Sequence, residues 1–312
     1  MHPMTTTPQP THEPPRPKVS VCVVTYNQEK YITQCLQSLV DQETDFPFEV
    51  IVSDDCSTDG TPDIVRHFSN RYPDIIKPIL HEENIGAYKN FIFVHQQAAG
   101  EYIAHVDGDD YALPGKLKRQ SKFLDENKEC NIVWHRMLIK NEATNIIRED
   151  LINYELLPKS GFGRGDIIGL IAIGLNSSKM YRSSVRDFVL PAFPVIDYFA
   201  NVEQIGGGKA FFVGAEPLGV YRAGIGIASS GLGTKRIMAN CFVHFGNKYP
   251  EHRRRVGAAV FLLMIAALKN RRWGVAIIYF KPTILLTSLK SMIDVYKFWG
   301  ISKMLRMPNE VR

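Results

Sequence analysis

A series of short apolar segments, each ending in a polar loop and each followed by an amphipathic stretch, restricts the fold of this chain more than any other feature. Residues 19–24, Val-Ser-Val-Cys-Val-Val, read as a buried strand that runs into Thr25-Tyr26-Asn27. Over 28–40 the apolar positions Tyr31, Ile32, Cys35, Leu36, Leu39 and Val40 recur at three-to-four spacing, which predicts an amphipathic helix. A second strand over 48–53 stops at the acidic loop Asp54-Asp55-Cys56-Ser57-Thr58-Asp59-Gly60. Thr61 as N-cap and Pro62 at the first helical position then begin another helix. Residues 75–80 predict a third strand, leading through Asn84-Ile85-Gly86 to a helix near 90–99, and residues 102–106 a fourth that ends at Asp107.

Strands alternating with helices imply an α/β fold with a mainly parallel sheet and right-handed crossovers. In such sheets ligands collect at the carboxyl ends of the strands. Thr25-Tyr26-Asn27, Asp54-Asp55 and Asp107-Gly108-Asp109-Asp110 all fall at that edge. Carboxylates crowded where a buried strand meets solvent repel one another, and a hard divalent cation bridging to phosphate oxygens would relieve the repulsion. An isolated Asp-x-Asp is more often a solvated turn, so its company on this edge carries the reading.

Four segments together resemble the family 2 glycosyltransferases, which have the GT-A nucleotide-sugar fold. They are residues 19–27, residues 49–61, Asn84-Ile85-Gly86, and residues 101–110 running into Pro114-Gly115-Lys116-Leu117, and their order and spacing match over about 19–140. The resemblance implies that Thr25, Tyr26 and Asn27 line the base and ribose pocket, with Asn84 nearby. It implies that Asp54 or Asp55 accepts hydrogen bonds from the base or ribose, which suits a pyrimidine nucleotide; helix-cap and turn chemistry ahead of Thr61 is the other reading of that pair. It further implies that Asp109 binds Mg²⁺ or Mn²⁺ on the diphosphate, with Asp107 contacting the ribose or the metal. Lys89 is read as a solvated surface lysine.

Past this half, 116–127 predicts a helix and 131–139 a strand in which His135 is a packed core residue rather than a ligand. The Gly161-Phe162-Gly163-Arg164-Gly165 run lacks a strand–helix setting and reads as a flexible turn. Residues 175–182 resemble the family's acceptor-side segment. Asp197 then opens a helix through Ile205, followed by strands at 210–213 and 217–222 ending in Tyr221-Arg222. An inverting transfer needs a base for the acceptor hydroxyl. Asp197 is the candidate, with an N-cap role as its alternative and Glu203 and Glu216 in reserve. Arg222 is read either as holding the diphosphate or a flexible lid, or as a surface ion pair.

Residues 1–18, rich in Pro and Thr, read as a disordered tail without the apolar core of a signal peptide; 19–250 as the GT-A domain, divided near 140 into donor and acceptor halves; and 251–312 as a basic, apolar helical appendage. The appendage carries 12 Lys and Arg against 3 Asp and Glu, a net of +9 where the whole chain has +5. Its apolar runs are shorter than the about 20 residues that cross a bilayer, and their interleaving with Arg253-Arg254-Arg255, Lys269, Arg271, Arg272, Lys290 and Lys297 suits helices lying on an anionic membrane surface. Packing on the core or self-association is the alternative. The five cysteines show no paired spacing, which argues for reduced thiols.

The expected activity is inverting transfer of a sugar from a UDP- or dTDP-linked donor to a hydroxyl of a glycan or lipid-linked acceptor, in cell-surface polysaccharide or lipopolysaccharide synthesis. The expected place is the cytoplasmic face of a membrane, with no nucleic-acid partner. A nucleotidyltransferase would show a glycine-rich basic loop after the first strand, which Thr25-Tyr26-Asn27-Gln28-Glu29 is not. A non-catalytic nucleotide-binding or scaffold protein of the same fold is the other alternative.

Overall fold

The structure is a computed structural model that describes residues 16–150, 152–171, 173–225 and 231–295. The predicted alternation is present: β1 (Val19–Thr25), α1 (Ile32–Val40), β2 (Phe48–Asp54), α2 (Thr61–Arg71), β3 (Ile76–Leu80), α3 (Ala87–Gln96) and β4 (Tyr102–Asp107). After these come β5 (Tyr111–Ala112), α4 (Lys116–Glu126), β6 (Cys130–Asn141), β7 (Ile146–Glu149), α5 (Arg164–Leu170), β8 (Met180–Arg182), α6 (Asp197–Gln204) and β9 (Lys209–Ala223). Three helices, α7 (Leu232–Lys248), α8 (Arg253–Lys269) and α9 (Trp273–Leu286), complete the described chain.

Among the described residues all nine strands join one sheet, ordered β3-β2-β1-β4-β8-β6-β9-β5 with β7 on β6. The first four strands pair in parallel, as the repeat requires. The three-residue β8 runs antiparallel between β4 and β6, and so welds the parallel half to the second half of the chain. The two strands expected at 210–213 and 217–222 are one strand, β9, whose register against β6 shifts near Trp134 and Arg136.

Side-chain alternation along the strands divides the apolar residues between two layers. Val19, Val21 and Val23 face Leu36 of α1, Phe68 of α2 and Leu124 of α4. Cys22, Ile51, Ile103 and Trp134 face the other layer, where Phe199 of α6, Phe242 and Phe245 of α7, Val260 of α8 and Tyr279 of α9 share a core.

Several boundaries differ from expectation for local reasons. Thr61 is the first residue of α2 rather than its cap: Asp59 Oδ1 accepts the Thr61 N–H, and the Thr61 hydroxyl turns away to accept from the Gln28 amide. The glycine run at 161–165 is no loose turn, because Phe162 is buried and bridges Ala210, and Gly163 leads directly into α5. At the end of the N-terminal tail Arg16 Nε donates to Ala99 O and Lys18 pairs with Asp125 at 2.6 Å, so residues 16–18 pack on the domain. Residues 1–15 of that tail, and 296–312 of the C-terminal region with Lys297, lie outside the described residues. All five cysteines are free thiols, and no described helix is long and apolar enough to cross a membrane.

The C-terminal helices close on glycine. A Cβ on Gly257 of α8 would stand 2.4 Å from Leu286 O, whereas one on Gly233 of α7 would meet nothing within 4 Å. Gly257→Ala is expected to cost about 1–3 kcal/mol of stability in denaturant unfolding, while Gly233→Ala is neutral or slightly stabilising.

Candidate active site

Strand register builds the site. Thr25 lies opposite Asp54 across β1 and β2, and Val24 opposite Asp107 across β1 and β4, so the loops after β1, β2 and β4 leave the sheet side by side. The first two loops are stitched together. Asn27, at φ +52°, donates its N–H to Ser57 Oγ and accepts from the Thr58 amide, while the Glu29 amide donates to Asp59 and the Glu29 carboxylate accepts from the Gly60 amide. Asp54 accepts from the amide and hydroxyl of Ser57. Asp55 takes the Ile85 and Gly86 amides on its two oxygens, at 2.7 and 3.0 Å, and Asn84 donates to the Asp55 carbonyl. Both carboxylates are buried and pin the loops, so only their second lone pairs are left for a ligand. Tyr26 stands half-buried beside them.

The acidic loop packs directly on the first loop. A Cβ on Gly108 would stand 2.4 Å from Gln28 Oε1 and 2.9 Å from Thr25 Cβ, which explains a glycine between the aspartates. Thr25 Oγ1 and Gln28 Oε1 are buried here without a hydrogen-bond partner. Burial and repulsion from Asp107 push the Asp109 carboxyl up to about 6. Burial, with Asp107 and Asp109, holds Asp110 well above the usual carboxylate range. At Asp107 burial acts the same way, but attraction to His105 and bonds from His105 and Ser177 outweigh it and lower the value.

Residues distant in sequence hold this loop. Ser177 Oγ lies 2.5 Å from Asp110 Oδ2 and 3.2 Å from Asp107 Oδ2, and accepts from the Asp107 amide. A hydroxyl has one proton to donate, so a protonated Asp110 lets both carboxyl contacts be hydrogen bonds. Arg222 is not at the surface: it is buried between Tyr31 and Tyr111, where it pairs with Glu142 and its guanidinium also engages Asp109 O and Gln34. Its own amide donates to Asp110 at 2.9 Å. Beneath them Lys116, pushed down to about 7 by burial against the attraction of Asp110, contacts Ser177 O and His135. His135 is therefore a packed, hydrogen-bonded core residue, as its sequence setting predicts.

A buried chain seats Asp107 from behind. His105 Nε2 donates to Asp107 Oδ1 at 3.1 Å, His105 Nδ1 meets His95 Nε2 at 2.9 Å, and His95 Nδ1 meets the Tyr181 hydroxyl at 2.7 Å. Period-two alternation puts His105 on the same face as Asp107, a signal present in the sequence; His95 and Ser177 carry no comparable local signal.

Asp197 opens α6, with its outer edge in solvent although the carboxyl sits in dense surroundings. Burial raises its pKa, and a bond from the Tyr198 amide and attraction to Lys179 offset part of this; Asp107 is close enough to add repulsion. Lys179 is buried under α6, donating to Asn201 and Gln204 at 2.8 and 2.6 Å. The two reserve carboxylates lie elsewhere: Glu203 pairs with Lys248 and Tyr249, and Glu216 forms an exposed pair with Arg119. Lys89 is exposed on α3.

The model of glycosyl transferase family 2 matches residues 20–187, and the chain belongs to that family. An uncharacterized protein of Mycobacterium tuberculosis is 35% identical over 209 residues, which are 65% of this chain and 58% of that protein. The poly(ribitol-phosphate) beta-N-acetylglucosaminyltransferase TarS of Staphylococcus aureus is 44% identical over 113 residues, 35% of this chain and 19% of TarS. The chain thus spans well under two thirds of these relatives. The crystal structure of TarS 1–349 superposes with a TM-score of 0.59 at 26% identity, over 77% of this chain and 69% of that one. The mannosyltransferase PcManGT of Pyrobaculum calidifontis, in complex with GDP-Man and Mn²⁺, shares the fold at 18% identity, with a TM-score of 0.55 over 97% of this chain and 87% of that one. The fold is GT-A, with its helical C-terminal region.

Among the described residues no cluster of three or more His, Cys, Asp or Glu side chains could hold a metal ion. Asp107 and Asp109 supply two hard oxygen donors, which fits a divalent cation only if a diphosphate completes its shell. The raised Asp109 has a sign-definite consequence in the metal-free protein. A carboxyl held above its ordinary range contributes stability that is fully present below that range and is lost as pH rises through about 6. Stability measured by denaturation with EDTA should fall between pH 4 and 6.5, and Asp109→Asn should flatten that fall.

Proposed function

We propose that this protein transfers a sugar from a nucleoside diphosphate donor, UDP- or dTDP-linked, to a hydroxyl of a glycan or lipid-linked glycan, with inversion. Cell-surface polysaccharide or lipopolysaccharide assembly at the cytoplasmic face of a membrane is the setting. The observation that carries this reading is geometric: strand register sets the acidic loop at the end of β4 beside the loops after β1 and β2, and Ser177 and the Arg222 amide, from the second half of the chain, bond to that acidic loop. Membership of the family and the likeness to TarS, which has been crystallised with UDP-GlcNAc, support it.

The donor half binds and orients. Thr25, Tyr26, Asn27, Asn84 and the remaining lone pairs of Asp54 and Asp55 form the nucleoside pocket, and the unpartnered Thr25 hydroxyl and Gln28 carbonyl are buried polar atoms at its inner wall. Asp107 and Asp109 are the residues that would hold a divalent cation, Mg²⁺ or Mn²⁺, which would supply charge compensation for a departing diphosphate. Asp110, whose pKa burial raises, contacts Ser177 and accepts from the Arg222 amide. Asp197 accepts the proton of the attacking hydroxyl at its carboxylate. Desolvation raises its pKa and strengthens it as a base, while the Tyr198 amide and Lys179 offset part of that rise.

Calorimetric titration with UDP, dTDP and GDP, each with Mn²⁺ and with EDTA, is expected to give metal-dependent binding of one pyrimidine nucleotide that Asp109→Ala abolishes. Absence of binding by all three would sink the donor reading. Asp197→Asn should lower kcat by about 10²–10⁴-fold while nucleotide affinity stays within twofold. Full turnover in that variant would remove Asp197 from the role of base.

A further inference from the structure

Among the described residues the C-terminal helices leave one face exposed. α9 is apolar on two sides: Ala276, Tyr279, Thr283 and Leu286 are buried, while Trp273, Ile277, Phe280 and Ile284 are 64, 74, 59 and 65% exposed. Those four recur at i, i+4, i+7 and i+11, one continuous stripe on a helix. Leu289 and Ile293, 91 and 58% exposed, extend the apolar surface beyond α9. Patches of this kind mark an interface rather than ordinary solvent-facing surface.

The charge around the stripe is of one sign. No Asp or Glu occurs between Glu251 and Asp294, and Lys269, Arg271, Arg272, Lys281 and Lys290 are all exposed. Among the described residues none of the five forms an ion pair, whereas Arg254 pairs with Asp294 and Arg255 with Asp166.

We propose that this face lies on an anionic lipid surface. α9 would run parallel to the bilayer, with the stripe at the headgroup–acyl boundary and the five basic side chains against lipid phosphates. The charge chooses this occupant. A second copy docked through the same face would bring two unneutralised basic rings together. Residues 296–312 add Lys297, Lys303, Arg306 and Arg312 against Glu310, so folding that segment over the stripe would raise the charge further. Anionic headgroups neutralise all of it. This deepens the reading above, and rests on it for purpose: an enzyme held on the bilayer meets a lipid-linked acceptor in two dimensions.

The test is flotation of the full chain with vesicles of phosphatidylcholine alone or mixed with phosphatidylglycerol, with Trp fluorescence recorded in parallel. Binding and a blue shift are expected only with phosphatidylglycerol. Ile277→Ser, Phe280→Ser and Ile284→Ser together remove exposed groups, so the fold should persist while binding is lost. Arg271→Gln, Arg272→Gln and Lys281→Gln together should weaken binding about a hundredfold. Equal binding to neutral vesicles would overturn the role of the basic ring. Failure to bind either vesicle would overturn the proposal, whether the protein is monomeric or forms a dimer that the serine variant dissolves. Nucleotide titration of the same variants separates the two readings, since both should bind UDP or dTDP as the parent chain does. Vesicle binding without nucleotide binding would fail the donor reading alone.

Discussion

The crowding of three carboxylates at the end of β4 is the constraint on which the rest of the site depends. Asp107, Asp109 and Asp110 cannot all ionise at once without large repulsion, and the protein treats each differently. The pKa of Asp107 is lowered by His105 and Ser177 against the effect of burial, that of Asp110 is raised by burial and by its two acidic neighbours, and that of Asp109 is raised to about 6.

Maintaining that grading requires both halves of the chain. Ser177 precedes β8 and Arg222 lies near the end of β9, yet both bond to the acidic loop, and β8 itself pairs with β4. The loops after β1 and β2 are braced from the other side by the bonds between them. Displacing β8 or β9 would therefore disturb the carboxylates, so the two halves of the chain are mechanically linked. The chain from Tyr181 through His95 and His105 to Asp107 extends the same linkage through the interior, between β8, α3 and β4.

Several functional details were visible in the residues, and others were not. The exit of Asp107 from a strand, the polar loops after β1 and β2, and Asp197 at the head of a helix follow from local periodicity and composition. Which of the paired aspartates serve structure does not, because Asp54 and Asp55 owe their partners to a turn and to a loop 30 residues away. Arg222 shows the same limit. An arginine ending a strand looks solvent-exposed until the fold encloses it between two tyrosines, and only that enclosure commits it to Asp109 O and Glu142.

The sequence by itself determined the α/β alternation, the edge of the sheet at which the polar loops gather, the acidic loop and the basic, acid-free stretch near the C-terminus. These rest on interactions between residues close in the chain or on composition, which a linear reading captures. Only the tertiary structure decided the protonation pattern of the carboxylates, the burial of Arg222 and Lys179, and which side of α9 stays uncovered. Each of these depends on desolvation and on partners up to 113 residues apart, as in the contact from Arg222 to Asp109, and desolvation exists only once the chain has closed around the group.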